Sequence, residues 1–474
     1  MWNEVDMKTH RMRLQSVGFT DSETNEWLNS VESQILKGGS TGLDSEIIST
    51  GLLVKQGLEF CEKLPLKTRR SDQEKSAGDS LMGLTTKLVK ELSKKHRVEI
   101  YDRLTDGYAK FIRVDDLVYI AASMFPGFLP TKEQVEKEAE KMQADKDGLE
   151  ILQGVFLSQL LREERSGIHM IISTMQPKKE SLELLPEFKK EGKIELKYAK
   201  AEIIDGAAHV EFNNTQYLNA EDDLSLVDQE TVVDLVLLNP EAQLGILRGA
   251  PVTHPRHKGL RIFDSGINLT KIYHGKLPFI WYLVREMGLV NKFYYGLAGF
   301  DWDEMDPDNT LEKIWIAAVD RFAIGGGCQI LLVMDYVIAE AGSYFNIPAR
   351  KEGIIPGVAN LRFSRFAGEK LARQGIMFDK TFYAGSPEAS GLINEVVPQE
   401  MMDQAIERVV ANATGSGMVS ASGNRKALRL QNETLELFRQ YISSYAEIQA
   451  KCHLSTQLIH NLEKHWHAKD KDLK

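Results

Sequence analysis

The chain has 474 residues, of which 43% are apolar and 27% charged, and its formal net charge at pH 7 is -10. A chain of this length is expected to fold as two domains, or as one large domain with an accessory domain. The acidic balance argues against nucleic acid as a partner, because binding to phosphates depends on concentrated lysine and arginine.

The N-terminus and the cysteines predict a cytoplasmic protein. The opening residues, MWNEVDMKTHRMRL, lack the apolar segment of a secretory signal, and no run of about 18 apolar residues exists to span a membrane. The three cysteines lie far apart in the sequence, so they predict neither a disulfide framework nor a cysteine-based metal site. We expect no membrane partner.

Residues 1–193 are predicted to form a helical accessory domain. Apolar residues recur there at helical spacing, and a capping box begins one helix after Thr131. The other predicted helices cover residues 21–37, 46–64, 81–104 and 149–161. His169 stands in an apolar segment with no second histidine nearby, so we interpret it as a core residue rather than a ligand. No catalytic motif occurs in this region.

The pattern changes to strand periodicity near Ile194, where a second domain, residues 194–413, is predicted to begin. Residues 194–198 alternate, and the Asp205-Gly206 pair separates two apolar runs, which is typical of a β-hairpin. Residues 244–248 predict another strand, followed by a loop. His254 and His257 lie in that loop, but a metal site is disfavoured because no third ligand occurs at a suitable spacing.

Three consecutive glycines, Gly325 to Gly327, stand between two apolar runs at 314–319 and 329–334. This order predicts a buried strand, a tight turn and a helix, with free backbone N–H groups at the helix N-terminus. Such a turn can hold a phosphate or stabilise an oxyanion. The phosphate interpretation is weaker because no GxxxxGK[ST] motif is present. Alternatively, the three glycines have no functional role and only allow the helix to pack closely against the strand.

Several ordered motifs in the second half resemble the enoyl-CoA hydratase/isomerase (crotonase) family. They are FDSGIN at 263–268, the glycine turn followed by Cys-Gln, IPARKEGIIPG at 347–357, and GLINEVVP at 391–398. The resemblance implies an α/β fold class, a crotonase-like ββα spiral core with an all-helical N-terminal domain and C-terminal helices. It also implies an acyl-CoA substrate whose thioester carbonyl is held by the N–H groups of Ile267 and Gly326.

Two positions argue against hydratase chemistry. The glutamates that hydratases of the family use would fall on Gln329 and Ala349, and neither an amide nor a methyl group can act as a general base. An oxyanion hole that could stabilise a thioester enolate remains. Arg285 lies in a predicted helix, 277–289. By position alone it would be a surface charge, but its apolar neighbours allow it to face inward and to pair with a carboxylate.

A narrower resemblance, in GINL, the Arg-Glu-x-Gly of 285–288, GGGCQ and ARKEGIIPG, is to the members of the family that oxidise arylacetyl-CoA thioesters with O2. It implies no metal, flavin or haem. It further implies that Glu221, Arg285 and Gln329 recognise ring hydroxyls, and that Leu269 and Ile355 line a dry O2 pocket. Hydrolase or isomerase chemistry on another acyl-CoA, and a catalytically silent scaffold, stay open as alternatives.

The remaining predictions concern CoA and assembly. Candidate contacts to CoA are His254, Pro255, Arg256, His257, Arg261 and Arg429, with an ordinary surface charge as the alternative for Arg261 and Arg429. A Gly/Ser linker at 414–424 is predicted to precede one long amphipathic helix at 425–462. By resemblance, the segment 414–474 covers the active site and builds a homotrimer or a dimer of trimers. Arg321 departs from the family, which commonly has glycine there.

Overall fold

The computed structural model describes residues 4–37, 42–307, 309–415 and 417–473. Two compact units make up the chain. The first comprises Met1–Met170, Thr270–Ile280 and Ile442–Lys474, and the second comprises Ile171–Leu269 and Trp281–Tyr441. This grouping differs from the predicted division at residues 193 and 413, because two later segments belong with the N-terminal helices. The accessory, catalytic and oligomerising roles of the predicted segments stay predictions.

The helices are α1 (Glu4–Gln15), α2 (Asp21–Lys37), α3 (Leu43–Glu62), α4 (Asp72–Thr105), α5 (Val114–Met124), α6 (Lys132–Ala139), α7 (Glu150–Leu161), α8 (Glu164–Met175), α9 (Lys179–Glu191), α10 (Asp223–Leu238), α11 (Leu269–Tyr273), α12 (Ile280–Val284), α13 (Asn291–Tyr295), α14 (Gly326–Leu331), α15 (Ala349–Glu352), α16 (Ala359–Ala367), α17 (Glu369–Phe378), α18 (Met402–Thr414), α19 (Val419–Asn432), α20 (Leu435–His453) and α21 (Thr456–Trp466). A π-helical turn, Arg285–Val290, joins α12 to α13.

The strands are β1 (Lys193–Glu195), β2 (Ala199–Ile204), β3 (Ala207–Phe212), β4 (Leu244–Gly249), β5 (Leu297–Ala298), β6 (Thr310–Leu311), β7 (Ile314–Val319), β8 (Phe322–Ile324), β9 (Tyr336–Glu340), β10 (Tyr344–Asn346), β11 (Phe382–Tyr383) and β12 (Glu395–Val397).

The N-terminal helices were predicted correctly in type, and their local signals are visible in the structure. The Thr131 side chain accepts a hydrogen bond from the Gln134 backbone N–H, and the Gln134 side chain returns one, as a capping box requires. A second capping box, between Ser71 and Glu74, begins α4. His169 is buried, with its ring nitrogens 2.8 Å from Tyr101 Oη and 3.1 Å from the Tyr108 carbonyl. The interpretation of His169 as a satisfied core residue is confirmed.

The second unit is built on a seven-stranded sheet of order β1-β2-β3-β4-β7-β9-β12. The first three strands are antiparallel, with the predicted Asp205-Gly206 turn between β2 and β3, and the others run parallel to β3. One face is covered by α18, whose apolar side chains join those of β4, β7 and β9 in the core. A smaller sheet of order β11-β10-β8 lies in the same unit.

The C-terminal helices differ from the sequence prediction. The predicted linker at 414–424 is wrong in its second half, because α19 already begins at Val419, and the predicted single long helix is broken into α19, α20 and α21. The first break has a clear cause. Glu433 adopts an extended backbone, with φ -157° and ψ 94°, and its buried carboxylate contacts Arg362 and Arg365 of the second unit.

Candidate active site

The glycine turn lies at the start of α14, as predicted, although a further short strand, β8, stands between the buried strand β7 and the turn. Gly325 has φ 53° and ψ -113°, a conformation that disfavours residues with a Cβ. Its N–H donates to the Asn346 carbonyl of β10 at 2.8 Å. The next N–H, that of Gly326, donates to no protein acceptor within the described residues.

The second predicted donor, Ile267, lies beside this turn. Glu221 forms an isolated parallel bridge with Ile267, in which the Glu221 N–H donates to the Gly266 carbonyl and the Asn268 N–H donates to the Glu221 carbonyl, each at 2.8 Å. The Ile267 N–H therefore points away from this bridge, and no acceptor for it occurs in the described part of the chain. A Cβ at Gly266 would lie 3.2 Å from Gly326 N, so the two segments are in close contact.

Gly326 also packs against a buried carboxylate. A Cβ built at Gly326 would overlap Glu221 Oε2 and would lie 2.9 Å from Arg285 Nη2. Glu221 is fully buried, and it directly precedes the N-cap residue of α10, Asp222. The absence of a side chain at position 326 is therefore what allows the glycine turn and the Glu221 carboxylate to occupy neighbouring space.

Arg285 connects the predicted recognition residues. Its Nε lies 2.9 Å from both oxygens of Glu221, its Nη1 lies 3.0 Å from Gln329 Oε1, and its Nη2 lies 2.9 Å from the Gly326 carbonyl. The expectation that Arg285 faces inward and pairs with a carboxylate is confirmed, since the residue is only 2% exposed. It begins the π-helical turn, a feature that often occurs at functional sites.

Glu286, which the sequence analysis did not single out, extends this cluster. Its Oε1 accepts from Arg285 Nη1 at 2.5 Å, and its Oε2 accepts the Val358 N–H at 3.2 Å. Gly357 has φ 45°, and a Cβ there would overlap the oxygens of Glu286 and Gln329. The loop that carries Ile355 is thus held against Arg285 through Glu286.

Asp264 is a second residue that the sequence analysis treated only as part of a motif. It is 1% exposed, its Oδ1 accepts the Gly266 N–H at 2.5 Å, and its Oδ2 has no hydrogen-bond partner among the described residues. Burial, and then the neighbouring charge of Glu221, raise the pKa of Asp264 well above its usual range. The FDSGIN sequence alone does not reveal that this aspartate is buried next to Glu221.

The other predicted site residues have the following places. Leu269 and Ile355 are half-buried, and their role in an O2 pocket stays a prediction. Ala349 is buried at the start of α15, so the position of the second hydratase glutamate carries only a methyl group. Arg321 has φ 61°, in the left-handed region, which gives a physical reason for glycine at this position in the family.

The candidate CoA contacts fall into two groups. His254, Pro255, Arg256 and His257 form a short, largely accessible 3-10 turn and its cap, and Arg261 nearby pairs with Glu211. Arg429, by contrast, is 6% exposed, contacts both oxygens of Glu312 and donates to the Tyr294 carbonyl at 3.0 Å. It is not the surface charge considered as an alternative, and we leave it out of the proposed CoA site.

Replacing Arg429 with alanine should therefore destabilise the protein. Removing one partner of a buried ion pair typically costs about 3–5 kcal/mol, because the other charge is left uncompensated. We expect a clear decrease in the urea concentration at the midpoint of unfolding. Arg373→Ala, which removes an exposed ion pair with Glu369, is the matched control and should have little effect. A stable Arg429→Ala protein with weakened acyl-CoA binding would instead return Arg429 to the CoA site.

The described residues contain neither a candidate metal-binding cluster nor a candidate membrane-spanning helix. No group of three or more histidine, cysteine, aspartate or glutamate side chains in the described ranges is placed to hold a metal ion. Within the same ranges, none of the helices combines the length and the apolar composition needed to cross a membrane.

Comparison with other proteins identifies the family of this site. The sequence model of the enoyl-CoA hydratase/isomerase family matches residues 302–464, and the chain belongs to this family. A relative, the (3,5-dihydroxyphenyl)acetyl-CoA 1,2-dioxygenase of Amycolatopsis orientalis, is 40% identical over 412 residues, which cover 87% of this chain and 93% of that protein.

Two further comparisons each cover about half of this chain. A short-chain-enoyl-CoA hydratase of Clostridium acetobutylicum is 29% identical over 239 residues, which are 49% of this chain and 82% of that protein. The crystal structure of an enoyl-CoA hydratase from Mycobacterium avium subsp. paratuberculosis superimposes with a TM-score of 0.47 and 20% identity, covering 56% of this chain and 98% of the other.

Proposed function

We propose that this protein is a dioxygenase that converts (3,5-dihydroxyphenyl)acetyl-CoA and O2 to (3,5-dihydroxyphenyl)glyoxylate and free CoA, without a metal or an organic cofactor. The identity of 40% to a dioxygenase of this name, over almost the whole of that protein, supports the proposal. The observation that carries it is geometric. Two backbone N–H groups, those of Ile267 and Gly326, have no acceptor among the described residues and lie beside the cluster of Arg285, Glu221 and Gln329.

The first chemical step in this proposal is formation of an enolate. Loss of a proton from the α-carbon places negative charge on the thioester oxygen, and the N–H groups of Ile267 and Gly326 stabilise that charge. Each such donor is typically worth about 2.7–4 kcal/mol in the transition state. Gln329 and Ala349 occupy the positions of the hydratase glutamates and do not titrate, which disfavours the addition of water to an enoyl-CoA.

The second step joins the enolate to O2. The electron-rich enolate donates one electron to O2, and the radical pair combines to form a peroxide at the α-carbon. The terminal peroxide oxygen attacks the thioester carbonyl and expels the CoA thiolate. Loss of the remaining α-hydrogen with cleavage of the O–O bond gives the ketone and the carboxylate. One O2 is consumed for each CoA released, and the substrate supplies all the electrons.

The ring hydroxyls are proposed to be recognised by the Arg285 cluster. Glu221 holds the Nε edge of Arg285, and Gln329, which is half-buried, presents its side-chain amide next to Nη1. A buried polar cluster of this kind discriminates strongly against an analogue without hydroxyl groups, because its polar atoms would then lose their partners. Leu269 and Ile355 are proposed to line an apolar O2 site that also excludes water from the enolate.

CoA and subunit assembly complete the proposal. The accessible turn at residues 254–257, with Arg261, is proposed to contact the CoA phosphates and nucleotide. A homotrimer or a dimer of trimers is proposed on family resemblance, and sedimentation measurements would test it.

The function is tested by measuring O2 consumption and CoA release together. Chelator-treated protein is given (3,5-dihydroxyphenyl)acetyl-CoA, with phenylacetyl-CoA as the control that lacks ring hydroxyls. We expect one O2 per CoA with the first substrate, and a much lower rate with the second. With 18O2, one labelled atom should enter the carboxylate and one the ketone, which is trapped by reduction before it exchanges with water. CoA release without O2 would show a hydrolase instead, and no release would contradict the proposal.

A further inference from the structure

The cluster around Arg285 contains more carboxyl groups than cations. Glu221, Glu286 and Asp264 are each at most 2% exposed, and among the described residues Arg285 is the cation that contacts Glu221 and Glu286. If all three were ionised, the cluster would carry a net charge of about -2 in a buried region, which is strongly unfavourable. This excess of carboxyl groups favours retention of a proton within the cluster.

The contacts indicate which carboxyl holds this proton. Both oxygens of Glu221 accept from Arg285 Nε at 2.9 Å, and both oxygens of Glu286 accept hydrogen bonds, from Arg285 and from the Val358 N–H. Asp264 differs because one oxygen accepts the Gly266 N–H while the other, Oδ2, is buried without a hydrogen-bond partner in the described ranges. An ionised oxygen without a donor is the least stable of the six, so the proton is best placed on Asp264.

The position of Asp264 ties it to both donors of the oxyanion hole. The hydrogen bond from the Gly266 N–H to Oδ1 closes the turn that precedes Ile267, and Gly266 has φ 81°. Asp264 also contacts the segment that carries the Gly326 N–H. Its carbonyl accepts the Ile324 N–H at 3.0 Å, and a Cβ at Gly327 would lie 2.6 Å from Asp264 Cβ.

We propose that Asp264 is a positioning residue that works as a neutral carboxylic acid. Its Oδ1 orients the Gly266–Ile267 turn, so that the Ile267 N–H faces the thioester oxygen. Its proton keeps a further negative charge out of the region where the enolate forms. This positioning role rests on the proposed function, whereas the protonation of Asp264 does not.

The pH dependence follows from these charges. Glu221 and Arg285 face Asp264, and burial together with the Glu221 charge raises the Asp264 pKa, so that the acid loses its proton only as the pH rises. Ionisation would then place a negative charge beside Glu221 and oppose enolate formation. Turnover should decrease toward alkaline pH through Asp264, and Asp264→Asn, which cannot ionise, should lack this contribution on the same substrate.

The protonation state is tested by infrared spectroscopy of the free protein at neutral pH. The difference spectrum between wild type and Asp264→Asn should contain the carbonyl absorption of a protonated carboxyl group. Asp320→Asn is the matched control, because Asp320 is equally buried but forms a bidentate ion pair with Arg248, and its difference spectrum should lack this absorption. Absence of the absorption for Asp264 would overturn the proposal.

The positioning role is tested with bound substrate. Under anaerobic conditions, the infrared frequency of a 13C-labelled thioester carbonyl reports its hydrogen bonds in the oxyanion hole. Asp264→Asn should keep the wild-type frequency and most of kcat. Asp264→Ala should lose the shift and should lower kcat by about 100-fold, comparable to the loss of one oxyanion donor, with a smaller change in KM. Equal damage in the two variants, or an unchanged frequency in Asp264→Ala, would contradict this role.

Discussion

Replacing Gly326 with alanine is expected to lower kcat/KM by about 10²–10³-fold, the loss typical of removing one oxyanion donor. The added methyl group would overlap Glu221 Oε2, so either the carboxylate or the glycine turn must move. Because Glu221 is fully buried and bound to Arg285, movement of the turn is the expected response. The Gly326 N–H would then no longer point at the thioester oxygen.

Steady-state kinetics of O2 consumption measure this effect, and thermal unfolding separates it from a loss of stability. Gly423→Ala is the matched control in the same unit. Gly423 is exposed in α19, nothing lies within 4 Å of a Cβ there, and alanine favours a helix, so activity and stability should be kept or slightly improved. A wild-type value of kcat/KM in Gly326→Ala would show that the Gly326 N–H is not part of the oxyanion hole.

The second large effect is expected for Arg285→Ala. This change leaves the Glu221 carboxylate buried without its ion pair and takes one partner from Glu286 and from Gln329. The loss of one partner from a buried ion pair typically costs about 3–5 kcal/mol of unfolding free energy. Turnover of (3,5-dihydroxyphenyl)acetyl-CoA should also be lost, because this guanidinium is one of the three proposed recognition groups and contacts the other two, Glu221 and Gln329.

A second substitution separates the two losses. In Arg285→Ala/Glu221→Gln, the uncompensated charge is removed, so part of the stability should return while activity stays low. Arg285→Lys should recover little activity, because one ammonium group cannot reproduce the arrangement of Nε, Nη1 and Nη2 contacts. Urea denaturation and O2 uptake measure the two quantities. Full activity in Arg285→Ala would contradict the proposed recognition of the ring hydroxyls.

Local signals in the sequence predicted the elements that depend on short spacings. The Thr131–Gln134 capping box, the Asp205-Gly206 turn and the glycine triplet each act within a few residues, and the structure contains all three. The apolar neighbours of Arg285 allowed an inward orientation, which the structure shows, although its position alone favoured a surface charge. Motif order, through family resemblance, indicated the two oxyanion donors. The segments that carry them are in close contact, neither N–H has a protein acceptor among the described residues, and their catalytic use remains a prediction.

Long-range packing decided what these signals could not. The linker predicted at 414–424 reflects the flexibility of glycine and serine, but buried contacts of Arg425 and Arg429 with Glu312 hold α19 in place. The same contacts bury Arg429, which by spacing alone could equally have been a surface charge. The assignment of residues 270–280 to the helical unit likewise depends on contacts with segments far away in the chain, such as that between Tyr273 and Glu463.

The sequence by itself determined the family, the position of the glycine turn and the absence of the two hydratase glutamates, because each of these is written in contiguous residues. Only the tertiary structure showed that Glu221 and Glu286 both pair with Arg285 beside the buried Asp264, and that Asp264 Oδ2 has no partner within the described chain. The physical reason is that the energy of a buried charge depends on its neighbours in space. Those neighbours come from three separate segments, whose meeting no local pattern encodes.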